Sequence, residues 1–262
     1  MNPDLSARTA LITGASSGMG RDYARELASR GVSLVLVARR AEPLEQLAQE
    51  LRGRFSAAPH VMPTDLAYEA ARQGLHDELR TKGIKIDLLI NNAGFGLFGP
   101  FVHSEWPRVQ QLLDVDIAAV THLTHLFLPQ MVERHWGRIL LVASTTAFQP
   151  TPGYAVYAAA KSYVLSFGGA INRELRGTGV SCTTICPGVT ETPFFEVAGQ
   201  KETFYQRMTK MKSDVVVHQA IDALLDGRGT VVAGWFNSAL ALSTRFAPRS
   251  MVISIAERLM RN

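Results

Sequence analysis

The chain has 262 residues, 47% hydrophobic and 19% charged, with 27 Lys and Arg against 23 Asp and Glu and a net charge of +4. An ordinary apolar fraction with so small a net charge excludes intrinsic disorder, and the length is that of one large domain or two small ones. No uninterrupted apolar run approaches the ~18 residues of a spanning helix, and the opening Met-Asn-Pro-Asp-Leu-Ser has no basic stretch followed by an apolar one. Neither a transmembrane segment nor a secretory signal is therefore expected, and the cytoplasm is the default location. A pI of 9.2 raises nucleic acid as a partner. The longest like-charge run is only the pair Arg39-Arg40, and the other arginines are spread among acids, so no nucleic-acid partner is expected.

Apolar β-branched runs alternate with helical patterns along the chain, the signature of βαβ units around a parallel sheet. The first run, Thr9 to Thr13, leads into Gly14-Ala15-Ser16-Ser17-Gly18-Met19-Gly20 and a helix near Met19 to Arg30. Glycines there allow a tight turn and let the N–H groups of a helix N-terminus meet a pyrophosphate. Three glycines alone equally describe an ordinary strand-to-helix turn. The second strand, Val32 to Ala38, ends at the distance a dinucleotide site needs. It lacks the acid that NAD-binding proteins place there for the ribose 2′-hydroxyl. Arg39 and Arg40 follow instead, and a guanidinium grips a 2′-phosphate with two hydrogen bonds. NADP(H) is expected over NAD(H), the alternative being that the two arginines are a solvated loop pair.

A helix near Pro43 to Leu51, a strand His60 to Met62, a helix Tyr68 to Thr81 and a strand Asp87 to Asn91 come next, then one long helix from Trp106 to Met131. On that helix His122 and His125 are three apart without an accompanying acid or cysteine pattern, so they are read as core or surface histidines and no metal is expected. Asp114 is read as a helix-surface acid. The strand Arg138 to Ala143 is followed by Ser144, at the strand end where a parallel α/β sheet binds ligands and where a hydroxyl can stabilise a growing oxyanion.

Thirteen residues on, Tyr157 and Lys161 stand four apart on the helix Val156 to Leu175, on one face. A phenol of pKa ~10 is a poor acid at neutral pH, and a nearby ammonium would lower that value, letting Tyr157 exchange a proton with a carbonyl oxygen. Alone, such a pair is equally an ordinary amphipathic face. Cys182 and Cys186 on the strand Val180 to Cys186 would be ~13 Å apart, too far to bridge, and read as buried apolar side chains. A helix Ser213 to Leu225 and a strand Thr230 to Ala233 bring the strands to seven, and Gly31, Gly83, Gly137 and Gly179 fall where helices should stop. With no linker, low-complexity tract or repeat, residues 1–262 read as a single doubly wound α/β domain, a seven-stranded parallel sheet with helices on both faces.

Thr13-Gly14-x-x-x-Gly18-x-Gly20, Asn91-Asn92-Ala93-Gly94, Tyr157-x-x-x-Lys161 and Pro187-Gly188, in this order and at these spacings, resemble the short-chain dehydrogenase/reductase family over nearly the whole chain. The resemblance implies a Rossmann fold and a catalytic group of Ser144, Tyr157 and Lys161. It places Gly14, Ser16, Ser17, Gly18, Met19 and Gly20 around the cofactor, Asp65 and Leu66 beside the adenine, and Asn92, Ala93 and Gly94 along its length. Pro187, Gly188, Val189 and Thr190 also belong to the cofactor set, with Thr192 near the nicotinamide carboxamide and Lys161 holding the nicotinamide ribose. Asp116 departs from the pattern, because family members usually carry asparagine there. That residue's backbone carbonyl holds a relay water from the lysine, and its side chain fixes a local distortion of the helix. A carboxylate close to Lys161 would partly offset the lysine's effect on the tyrosine and alter the pH optimum.

By the same resemblance the segment of about residues 189–213 is a substrate lid. Its Phe194, Phe195, Val197, Phe204, Tyr205, Met208 and Met211 suggest an apolar ligand, and Phe95, Leu97, Phe98 and Phe101 could form the opposite wall. The same side chains could instead pack the lid or meet another subunit. The apolar tail of about residues 234–262 could lie on a membrane surface, form a subunit contact or extend the substrate pocket; family precedent favours a homodimer or homotetramer. The expected function is an NADP(H)-dependent oxidoreductase acting on an apolar carbonyl/alcohol pair. The competing expectation is a non-catalytic NADP(H)-binding redox sensor or scaffold.

Overall fold

In the computed structural model residues 5–55 and 57–260 are described. Met1–Asp4, on which part of the signal-sequence expectation rests, lie outside them. Seven strands form one sheet in the order β3-β2-β1-β4-β5-β6-β7: β1 Thr9–Thr13, β2 Ser33–Ala38, β3 His60–Pro63, β4 Leu88–Asn91, β5 Gly137–Val142, β6 Val180–Cys186 and β7 Thr230–Val232. All pairings are parallel. The strand order reverses between β1 and β4, which opens a crevice at the C-terminal ends of those strands.

Alternation along each strand feeds two cores. Ala10 and Ile12 of β1 and Leu34 and Leu36 of β2 face Tyr23 and Leu27 of helix α1 (Gly18–Ser29), Leu44 and Leu47 of α2 (Ala41–Phe55) and Val216 and Ile221 of the late helix Ser213–Leu225. Leu11, Val35 and Val37 face the other way, toward Leu75 and Leu79 of α3 (Glu69–Thr81), then toward Leu123 and Phe127 of a helix running on to Glu133. Strands buried on both faces explain the near-continuous apolar runs of the sequence.

The long helix expected from Trp106 to Met131 has three parts: α4 (Trp106–Leu113), one π-helical stretch Asp114–Ala119, and α5 (Val120–Glu133). The widened turn lets the Asp116 side chain leave the helix and accept the Phe95 N–H at 3.2 Å. The whole run Trp106–Glu133 is long and apolar enough, by length and composition, to cross a membrane. Its Leu112, Leu123, Phe127 and Met131 are nonetheless buried in the protein core.

After β5 a short 3-10 turn (Thr145–Phe148) precedes α6 (Ala155–Glu174). Beyond β6 the chain forms two short helices not expected from the sequence, α7 (Phe194–Ala198) and α8 (Phe204–Thr209), followed by α9 (Ser213–Leu225). The tail forms two more, α10 (Trp235–Ser243) and α11 (Arg249–Met260).

Gly31 and Gly83 directly follow helices with φ of 79° and 68°. Gly137 does not have that role. It opens β5, where an added Cβ would stand 2.6 Å from the Met131 Cβ, and His135 (φ 53°) takes the left-handed position after α5. Gly179 is left-handed but stands just before β6, five residues past the end of α6.

Candidate active site

Lys161 projects from α6 beneath β5. Its Nζ donates to the Val142 carbonyl at 3.0 Å and lies 2.9 Å from Asp116 Oδ1. Tyr157, one turn earlier on the same face, is buried, and the lysine nitrogen is 5.6 Å from its ring centroid. Ser144 hydrogen-bonds the Tyr157 side chain and also accepts the Thr146 N–H at 3.2 Å. Burial raises the Tyr157 pKa, the Asp116 charge raises it further, and the Ser144 hydrogen bond opposes both. The phenol expected to be acidified by its neighbouring lysine is instead held above its ordinary value, first by burial and second by the Asp116 charge. Asp116 is wholly buried and its own pKa is raised by burial, against the Lys161 and Phe95 contacts. It lines neither of the cavities described below, and acts on Lys161 by direct contact and on Tyr157 by its charge.

Gly94 makes this packing possible. An added Cβ there would lie 2.6 Å from Asp116 Oδ1 and 3.1 Å from Lys161 Nζ. Thr13 fixes the strand before it: its Oγ1 donates to the Ile90 carbonyl at 3.2 Å and accepts the Asn92 and Ala93 N–H groups, both at 2.9 Å. Asn91 turns away from the crevice, its Nδ2 donating to Thr124 Oγ1 at 3.1 Å.

The crevice holds a cleft lined by Gly14, Ser16, Ser17, Gly18, Met19, Arg39, Arg40, Asp65, Leu66, Asn92, Ala93, Gly94 and Thr192. These are the residues expected around an adenine dinucleotide, brought together from beyond the ends of five strands, β1, β2, β3, β4 and β6. The cleft suits such a group: it meets the N-terminus of the 12-residue α1, and Gly14 and Gly18 have φ of 68° and 52°, leaving bare backbone where side chains would fill the turn. Gly20 is not on the cleft wall. It packs beneath the turn, where a Cβ would collide with the Gly14 carbonyl. Pro187, Gly188, Val189 and Thr190 line a neighbouring cavity instead, together with Ser144, Tyr157 and Lys161.

The family model described as short chain dehydrogenase matches residues 8–203. The chain belongs to the short-chain dehydrogenase family. It is 38% identical over 186 residues to sulfoacetaldehyde reductase 2 of Chromohalobacter salexigens, covering 70% of this chain and 73% of that protein. Among solved structures, a short-chain dehydrogenase from Sphingobium yanoikuyae in complex with NADPH is 31% identical with a TM-score of 0.83, covering 94% and 95% of the two chains. A short-chain dehydrogenase/reductase from Burkholderia phymatum in complex with NAD is 25% identical with a TM-score of 0.83, covering 99% of each chain.

In this short-chain dehydrogenase the second cavity encloses about 210 Å³. It shares Met19, Asn92, Gly94, Thr192 and Phe194 with the dinucleotide cleft, so the two spaces meet beside Gly94. From the lid, Phe194, Phe195 and Tyr205 line it, whereas Val197 borders the dinucleotide cleft and Phe204 and Met208 are exposed. Phe194 packs on Tyr157 with ring centroids 5.2 Å apart, in a place kept open by Gly96.

The wall opposite the lid is not the Phe95 to Phe101 segment expected. Phe95 borders the dinucleotide cleft, Phe98 packs on Tyr154, and Phe101 is 59% exposed. The far wall comes from the tail, through Leu240, Val252, Ile255, Leu259 and Met260. Gly188 seats this tail, since a Cβ there would stand 2.5 Å from Asn237 Nδ2 of α10.

The sequence reading also missed Arg72, buried on α3. It donates to the Leu66 carbonyl at 2.7 Å and to His122 Nδ1 at 3.1 Å, and so holds the loop beside the expected adenine position. The sign was present as an arginine on the apolar face of a helix. His122 is thereby a hydrogen-bond acceptor, and Asp114 accepts from Gln110 at the surface. Among the described residues no group of three or more His, Cys, Asp or Glu is arranged to hold a metal ion.

Proposed function

We propose that this oxidoreductase is an NADP(H)-dependent reductase of neutral, apolar ketones or aldehydes. The observation that carries the reading is the position of the Ser144–Tyr157 pair on the wall of a mainly apolar cavity that meets the dinucleotide cleft. NADPH, when bound in the cleft, would supply the hydride to the carbonyl carbon. Tyr157 would donate its phenolic proton to the carbonyl oxygen, and Ser144 would hydrogen-bond the same oxygen as negative charge grows there. The Lys161–Asp116 pair stands behind the phenol, and burial together with the Asp116 charge raises the pH at which it gives up its proton. Burial among Phe194, Tyr154 and the tail keeps water from the reacting group.

Among the described residues lining this cavity Lys161 is the only Lys, Arg, Asp, Glu or His side chain, and it is already paired. An anionic substrate group would find no other cationic side chain among these described residues, which supports a neutral substrate over the sulfoacetaldehyde named for the Chromohalobacter salexigens relative. Arg39 and Arg40 at the cleft rim, and the NADPH complex of the Sphingobium yanoikuyae neighbour, support NADP(H) over NAD(H). The expected homodimer or homotetramer belongs to the same proposal and is read by sedimentation.

The test is NADPH consumption with a panel of neutral ketones and aldehydes. Turnover that falls by about 10²- to 10⁴-fold in Tyr157→Phe, with cofactor affinity retained, supports the reading. Tight cofactor binding without turnover across the panel overturns it.

A further inference from the structure

The apolar cavity is closed by segments far apart in the chain, and one buried side chain joins them. Gln200 Oε1 accepts from Tyr154 Oη at 2.7 Å and from Gln206 Nε2 at 2.7 Å, while its Nε2 donates to the Met260 carbonyl at 3.1 Å. Tyr154 caps the start of α6, with its ring 5.7 Å from that of Tyr157. Gln206 belongs to α8 in the lid, and Met260 is the last residue of α11. Tyr154, Gln200 and Gln206 are all buried. The amide oxygen uses both of its lone pairs, and the amide nitrogen satisfies one of the carbonyls that a helix C-terminus leaves without an internal partner.

We propose that Gln200 is a specificity-determining positioning residue, which fixes the lid and the end of α11 against Tyr154 and so makes the cavity deep enough to favour large apolar ketones over small ones. This rests on the reductase reading above. A small ketone needs only the Ser144 and Tyr157 end of the cavity. A large one must also shed its hydration against Val252, Ile255 and Leu259. Replacing Gln200 by leucine leaves the Tyr154 hydroxyl and the Gln206 amide buried without this partner, and hydrating them draws α8 and α11 apart.

Gln200→Leu and the milder Tyr154→Phe are compared with the wild type on butan-2-one and decan-2-one, and by amide hydrogen exchange. In Gln200→Leu the ratio of kcat/KM for decan-2-one over butan-2-one is expected to fall by about fivefold or more, through the KM for decan-2-one. Exchange in α11 should quicken by about tenfold or more while the β-strands keep their protection. Tyr154→Phe should move both quantities in the same direction by less. Equal losses on the two ketones, or unchanged exchange in α11, overturn the proposal. A wild type that reduces neither ketone overturns the reductase reading, and exchange in α11 still decides whether Gln200 holds the tail.

Discussion

Asp116 Oδ1 lies 2.9 Å from Lys161 Nζ, and the two side chains are 0% and 5% exposed. The second carboxylate oxygen accepts the Phe95 N–H, so one residue holds both the lysine and the strand end that reaches Gly94. Its charge is also one of the two causes that raise the Tyr157 pKa, after burial itself.

Asp116→Asn should therefore lower the Tyr157 pKa. Ketone reduction needs the protonated phenol and is lost as pH rises through that pKa, so its alkaline limb should move down, on the order of one pH unit. Alcohol oxidation needs the phenolate, and its rising limb should move down by the same amount. Paired pH-rate profiles of the two directions check this; limbs that coincide with those of the wild type would show that the Asp116 charge does not reach the phenol.

Gly94→Ala places a methyl 2.6 Å from Asp116 Oδ1 and 3.1 Å from Lys161 Nζ. Neither side chain can retreat easily, because both are buried, so the pair must separate or the β4 end must shift. A stability loss of about 1 to 3 kcal/mol is expected from the overpacking, accompanied by loss of turnover. Urea unfolding and NADPH consumption on the same preparation measure both.

Arg39→Ala should raise the KM for NADPH by about tenfold, as the loss of a charge-assisted phosphate contact does, and leave that for NADH nearly unchanged. Equal effects on the two cofactors would assign Arg39 to the solvated rim.

Arg72→Met removes the donor that holds the Leu66 carbonyl, so cofactor KM should rise more than kcat falls. The same change should raise the His122 pKa, which burial, and then the Arg72 charge, hold below the ordinary histidine value. Proton NMR of the His122 ring follows that shift directly.

The central sheet was legible because strands buried on both faces write themselves as apolar runs. The four motifs, and the thirteen-residue count from Ser144 to Tyr157, pointed to residues that the fold gathers along the cleft and the neighbouring cavity. Asp116 and a local distortion of its helix could be expected from the family resemblance, but the π-helical form of that turn could not be read, since its residues keep an ordinary helical pattern. Gly137 misled because a glycine after a helix and a glycine under a close side chain look alike in sequence; His135 supplies the turn instead. Helix α8 carried a readable sign that was missed, the capping box from Thr203 to Gln206. Arg72 and Gln200 were hidden for a common reason: each acts through backbone carbonyls or amides brought near only by folding.

The family match stops at residue 203, while the far wall of the cavity is built from residues 240–260. The cavity is thus walled by two stretches of one polypeptide, the lid residues Phe194 and Phe195 inside the matched region and the tail beyond it, joined at the seat that Gly188 offers to Asn237. The segment from α10 onward is in that sense a cover made to fit one lid, and grafting it onto a relative would reproduce the cavity only if Phe194, Phe195 and the Gln200 tie to Met260 travelled with it.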